Sequence, residues 1–272
     1  MNRNKIQEEN LSDFTSDAII TIGTRISDDN PKVKRYIDTM IQKENGEFIY
    51  MHPIDDISLQ DKYTQYIKYE AGSEEGVMAF LASYLTSNVP QDLQNYFEDL
   101  DIGYLSGESS VGEEEFELLV EKLTTKKEIT LLIGEDLYGH TSFKNIAQFI
   151  RLIDLYTDIN VVLLHSNIQI DLSDPISLEE VSAIETYNGS IVYTIDCDSD
   201  ILKGSASFAM AAKIKDADMV TIKYKNTTVK KQFLVDANIR GTIALYPLAN
   251  TQDDDFSNGY RFKQVKIEKA KL

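Results

Sequence analysis

The sequence predicts an α/β fold: a Rossmann-like parallel sheet with flanking helices, followed by a small C-terminal β-barrel-like domain. Three observations carry this. Two apolar runs closed by glycine, AIITIG at 18–23 and ITLLIG at 129–134, read as strands buried on both faces. Each is followed by a loop and an amphipathic helix, which is the βα rhythm of a parallel sheet. After residue 185 the helical spacing stops, and short β-branched segments take over.

The elements follow in order. Residues 1–17 are mostly polar and predict a loose arm. After the strand at 18–23, Asn30-Pro31 opens a helix, because proline suits its first turn. Val33, Tyr36, Ile37, Met40 and Ile41 line its inner face. EFIYM at 47–51 is the next strand, closed by His52-Pro53, and 66–69 is a short alternating piece. Ser73 is a natural N-cap, with Glu74 and Glu75 in the first turn, for a helix carrying Val77, Phe80, Leu81 and Leu85. Residues 90–100 predict a helix and 103–112 a loop. Phe116, Leu119, Val120 and Leu123 share one face of a helix over 113–123, with Glu113-Glu114-Glu115 as its charged start. A helix over 143–153 and a strand NVVLL at 160–164 complete the pattern. The β-rich segments are 191–195, 219–224, 229–235, 242–246 and 261–267, and Asp253-Asp254-Asp255 reads as a loop. The expected domains are the arm at 1–17, an α/β domain at 18–200 and a β-rich domain at 201–272.

Composition limits the function. The chain has 272 residues, 42% of them hydrophobic, enough for a substantial core. The net charge of -18 repels nucleic acid and anionic membranes, so no nucleic-acid partner is expected. The charge is uneven: from residue 213 onward there are 12 Lys+Arg against 7 Asp+Glu, a net of +5, while residues 1–212 carry a net of -23. An acidic body and a basic tail suggest two units and a partner that reads both. The single cysteine, Cys197, allows no internal disulfide and no all-cysteine cluster. There is no apolar run long enough to span a bilayer, and the polar N-terminus has no secretory h-region. A cytoplasmic chain without a direct membrane span is expected.

No motif supplies chemistry. The loops after Gly23 and Gly134 read GTRISDDNP and GEDLYGH, which are neither dinucleotide nor P-loop fingerprints. Their acids also disfavour a phosphate. His52, His140 and His165 are scattered. His52 and His165 close predicted strands, the sheet edge where α/β ligands bind, although a polar strand end is the simpler reading. Cys197 sits in DCDSD, where acids raise a thiol pKa. Asp196, Asp198 and Asp200 lack the glycine and closing glutamate of a calcium loop. No catalytic residue and no metal ligand emerges.

Five collinear stretches resemble the molybdopterin-oxidoreductase superfamily: AIITIGTRISDDNPKVKRYI, EFIYMHPID, YIKYEAGSEEGVMAFLASYL, ITLLIGEDLYGHTSFKNIAQFIRLI and IKDADMVTIKYKNTTVKKQFLVDANIRGTIALYPL. Together they cover roughly 17–85 and 128–250. The segments IGEDLYGHTSFKNIAQFI and GSEEGVMAFLA are most similar to one family of NADH-quinone oxidoreductase (respiratory complex I) subunits. Its members carry iron–sulfur clusters in their N-terminal part and a molybdopterin-oxidoreductase-like region in their C-terminal part. This chain resembles the C-terminal region. The resemblance implies degenerate pterin-site positions at Gly72, Ser73, Glu75 and Asp216. His52 and Ile54 replace the acid and the arginine of an Asp-Pro-Arg-like motif, Glu74 stands in a Gly-Thr-Asp-like motif, and Ala217 replaces a turn glycine. It therefore implies a lost cofactor: none in this chain, with iron–sulfur clusters elsewhere in the parent subunit or complex. It implies a scaffold in the hydrophilic arm, supporting electron transfer to quinone by other parts. Such a chain would contact other hydrophilic-arm subunits and associate peripherally with the inner membrane. Two alternatives stay open: one half of a split molybdopterin-dependent oxidoreductase that binds the dinucleotide with a partner chain, and a binding protein that reuses the α/β crevice.

Overall fold

A computed structural model describes residues 6–7, 15–42, 46–164, 170, 176–185, 187–248 and 254–270. The chain forms two compact units, Met1–Pro53 with Leu59–Thr186, and Ile54–Ser58 with Tyr187–Leu272. The first is the expected α/β sheet and the second the expected barrel.

The α/β unit runs β1 (Ile6–Gln7), β2 (Ala18–Ile22), α1 (Ile26–Asp29), α2 (Pro31–Ile41), β3 (Glu47–Met51) and β4 (Gln65–Ile67). Then come α3 (Glu74–Leu85), α4 (Gln91–Glu98), α5 (Ile102–Ser109), α6 (Glu113–Leu123), β5 (Ile129–Ile133), α7 (Glu135–Tyr138), α8 (Phe143–Tyr156) and β6 (Asn160–Leu163). The sheet order is β1-β6-β5-β2-β3-β4, and every pairing is parallel. β2 lies between β3 and β5, so the chain order reverses there.

Both faces of the sheet are covered, which is why its strands read as continuous apolar runs. Ile20, Ile22, Ile49, Met51, Leu131 and Ile133 pack under α3, α6 and α8. Ile19, Phe48, Tyr50, Leu132 and Val162 face α1 and α2. In α3, Val77, Met78, Ala79, Phe80, Leu81 and Ala82 are all fully buried. A helix apolar all round is a core helix, and each large side chain buried there contributes about 1.5–3 kcal/mol.

Two expectations about the α/β unit need correction. A polar arm reads as loose, yet Ile6–Gln7 pairs with β6 at the sheet edge. Asp17, at the end of that arm, is also engaged: its carboxylate accepts the N–H groups of Lys127 and Glu128, both at 3.0 Å. Residues 1–5 and 8–14 lie outside the described residues. The expected loop at 103–112 contains α5, because the Asp101 carboxylate caps the Tyr104 N–H (2.9 Å) and Leu105 is buried. Its glycines, Gly103 and Gly107, disguise a helix that tertiary burial sustains.

The second unit runs β7 (Ser190–Ile195), β8 (Ile201–Gly204), α9 (Ala206–Ala211), β9 (Met219–Tyr224), β10 (Thr227–Val235), β11 (Ile243–Pro247), α10 (Asp254–Ser257) and β12 (Phe262–Lys269). These strands close a barrel in the order β10-β8-β11-β7-β12-β9. β7 pairs with β11 in parallel and with β12 antiparallel. The domain boundary therefore falls before β7, at 186/187, and not at 200/201. Val192, Leu202, Phe208, Phe233 and Tyr246 fill the interior. Lys231 and Lys263 are buried too. The Lys231 ammonium pairs with Asp200 at 2.8 Å, and that of Lys263 donates to the Asn258 carbonyl at 2.7 Å. No described helix is long and apolar enough to cross a membrane.

The turn before β9 is held by its own polar groups. The Asp216 carboxylate accepts the Val235 N–H (2.8 Å), and the Asp218 carboxylate accepts the Lys215 N–H (2.9 Å). Ala217 sits between them at φ +62°, a region that favours glycine. Ala217→Gly is expected to raise the unfolding free energy by about 0.5–1 kcal/mol. Urea titration checks this, and an unchanged or lower midpoint would show that the turn carries no strain.

Candidate functional site: the C-terminal edge of the parallel sheet

In an open α/β sheet, ligands bind beyond the carboxyl ends of the strands where the strand order reverses. Here that position is between β2 and β5, and the chain fills it. The Gly134 N–H donates to the Ile22 carbonyl (2.8 Å), and the Asp136 N–H to the Gly23 carbonyl (2.9 Å). Gly23 has φ +71°, and a Cβ on Gly134 would stand 2.0 Å from the Gly23 oxygen. Both glycines are thus required by backbone approach, not by a phosphate. The arginine of the first loop, Arg25, pairs with Asp28, and its backbone N–H donates to the Asp29 carboxylate at 3.0 Å.

Next to this seam lies a layer of buried polar side chains. His52 follows β3, and its backbone N–H binds the Ile67 carbonyl at 3.3 Å. Its Nε2 is 3.1 Å from Asp136 Oδ2, and both side chains are fully buried. The imidazole stacks on Tyr50, with ring centroids 5.8 Å apart. His52 closes a strand, as expected, but it also joins β3 to the first turn of α7. Sequence reasoning missed Asp136. Its signal was the acid in GEDLYGH, a loop with no cation of its own.

The Gly72–Glu75 segment opens α3. Ser73 occupies the N-cap position, but its hydroxyl makes no cap bond and donates instead to the Glu70 carbonyl (2.6 Å). Glu74 is fully buried, and its carboxylate turns back to accept the Gly72 N–H at 3.0 Å. Glu75 accepts the Asn145 amide N–H at 2.7 Å. Asn145 in turn exchanges two hydrogen bonds with the Glu179 backbone, at 2.9 and 3.0 Å. This clamps the 176–185 segment onto α8. The Tyr69 hydroxyl is buried with no hydrogen-bond partner among the described residues. Burial, then the carboxylates of Glu74 and Asp136, push its pKa well up.

The tautomer of His140 follows from its partners. Nδ1 accepts the Ser142 N–H (3.0 Å), so Nε2 carries the proton and donates to the Gly72 carbonyl (3.1 Å). Glu74 Oε2 is 3.6 Å from the same nitrogen, too far for a hydrogen bond. Burial lowers the His140 pKa below its ordinary value, which agrees with a neutral ring.

The remaining candidates lie elsewhere. Asp216 is in the barrel unit, spent on Val235. Asp200 pairs with Lys231, and Cys197 is exposed. His165 and Asp253 lie outside the described residues. Among the described residues no group of three or more His, Cys, Asp or Glu side chains can hold a metal ion. No protein-family model matches the chain and no curated protein aligns with it, so the site is read from its own residues.

The buried pair and the neutral histidine can each be tested. His52→Ala and Asp136→Ala are each expected to lower stability by about 2–4 kcal/mol, since each strands a buried partner. The double variant should cost less than the sum, and additive losses in a double-mutant cycle would dissociate the pair. His140 has a folded pKa below its unfolded one, so the unfolded chain binds the extra proton first. Stability is expected to fall as pH drops below about 6.5, because protonating Nδ1 breaks the Ser142 bond. His140→Gln should flatten that part of a denaturation series between about pH 7 and 5, and an unchanged slope would remove His140 as its source.

Proposed function

We propose that this chain is a scaffold module of the hydrophilic arm of a respiratory NADH-quinone oxidoreductase, corresponding to the molybdopterin-oxidoreductase-like region of one of its iron–sulfur subunits. It has no chemistry of its own, and it supports electron transfer carried out by neighbouring domains or subunits, whose iron–sulfur clusters lie outside this chain. It associates with the inner membrane only through that complex.

One observation carries this reading: the loops that would grip a pterin dinucleotide hold each other instead. His52 binds Asp136, Glu74 binds the Gly72 N–H, Glu75 binds Asn145, and Asp216 binds the Val235 N–H. A pyrophosphate-linked cofactor needs free backbone N–H groups and cations. This edge offers buried carboxylates at positions 74 and 136, and its N–H groups at 72, 134 and 136 are already bonded. The residues present do not fit the group. An α/β unit followed by a closed barrel is also the order that the resemblance implies. The resemblance itself is a fold-level argument, so function rests on the occupied loops.

Co-expression with the other hydrophilic-arm subunits tests the proposal. The chain is expected to co-purify with them, without pterin fluorescence or stoichiometric molybdenum or tungsten. A pterin retained by the chain would overturn the scaffold reading, and one retained only with a partner would favour the split-enzyme alternative.

A further inference from the structure

We infer that the outer face of β10, β9 and β12 in the barrel docks an acidic segment of a partner protein. The inference rests on the scaffold reading for the existence of a partner, but its geometry is independent of it.

The strand register assembles the face. Side chains alternate along a strand, so Val220, Ile222 and Val265 point inward and their neighbours point out. Lys266 on β12 stands directly opposite Lys223 on β9. On the other side of β9, Lys230 of β10 stands opposite Thr221, diagonal to Lys223. All three lysines are exposed. Like charges directly opposite in a sheet repel, and this pair gains nothing from its neighbours within the fold beyond one contact. Lys223 reaches Glu268 at 3.3 Å, while Lys230 and Lys266 have no carboxylate partner among the described residues.

The chemistry of the occupant follows from charge. Residues 1–186 carry 14 Lys+Arg against 35 Asp+Glu, and residues 187–272 carry 13 against 10. Three lysines on adjacent strands thus form a local positive field on a strongly acidic molecule. A duplex or a bilayer is an extended polyanion and meets the repulsion of the whole chain. A short acidic peptide meets only the field within about one Debye length, roughly 8 Å at physiological salt. Met219 is 48% exposed at the end of the same face and offers an apolar contact, which suits a protein partner more than a phosphate backbone.

The test uses the full chain and fluorescent poly-L-glutamate, with duplex DNA and phosphatidylglycerol vesicles as rival polyanions. Poly-L-glutamate is expected to bind most tightly, and to weaken as salt rises. The triple variant Lys223→Glu, Lys230→Glu and Lys266→Glu should lose at least about tenfold in affinity, as removal of three ionic contacts requires. A control of equal charge change, Lys32→Glu, Lys127→Glu and Lys213→Glu, should lose much less. Equal losses in the two variants, or tighter binding of DNA or vesicles, would overturn the inference. Co-purification separates it from the scaffold reading. Subunits still captured by the triple variant would defeat this face alone. Failure of the wild-type chain to capture any subunit, with poly-L-glutamate binding still dependent on these lysines, would defeat the scaffold reading alone.

Discussion

Where β2 and β5 end, two backbones meet so closely that no side chain fits between them. The Gly23 carbonyl occupies the space that a Cβ at 134 would need, and it accepts the Asp136 N–H. That contact sets the start of α7, which places Asp136 over the end of β3. The Asp136 carboxylate then needs a buried partner, and His52 supplies it. The helix N-terminus that could have received an anion is thereby spent on the sheet. The character of the whole sheet edge follows from this one backbone approach.

The consequences spread along the edge. With the reversal point filled, the Gly72–Glu75 loop is ordered by its own side chains. Glu74 folds back on Gly72, His140 donates to the Gly72 carbonyl, and Asn145 joins Glu75 to Glu179. Buried polar networks are stable only when their members are satisfied. The Tyr69 hydroxyl is the member left over, held neutral by burial among carboxylates. An edge organised in this way is closely bonded and acidic, qualities that serve a scaffold and oppose a pyrophosphate. The barrel differs in kind. Its interior accepts two lysines through specific partners, and its outer face gathers lysines that the fold leaves uncompensated.

Much of the architecture is legible in the chain directly. Apolar runs at 18–23, 47–51 and 129–134 become central strands because both sheet faces are covered, so each run is apolar throughout. The helices at α2, α6 and α8 are legible from one-sided spacing. Elements whose local preference is weak are not. The glycines of α5 hide a helix that exists because Leu105 is buried and Asp101 caps it. The strand at β8 and the helix at α9 lie where the sequence suggests only a boundary, since four or six residues carry too little periodicity to register. β7 reads as part of the first unit because a strand's sequence does not name its partners, and pairing with β11 and β12 decides membership.

The same division holds at the sheet edge. Composition and spacing by themselves determined that this is an acidic α/β chain with a basic β-rich end, lacking any ligand set at short sequence range. These are properties of residue type and local period, and they survive without coordinates. Only the tertiary structure decided that His52 meets Asp136 across 84 residues, that Ser73 abandons its cap, and that Lys266 faces Lys223. Such pairings arise from parallel register and crossover connections, which bring distant residues together by geometry that no local pattern encodes.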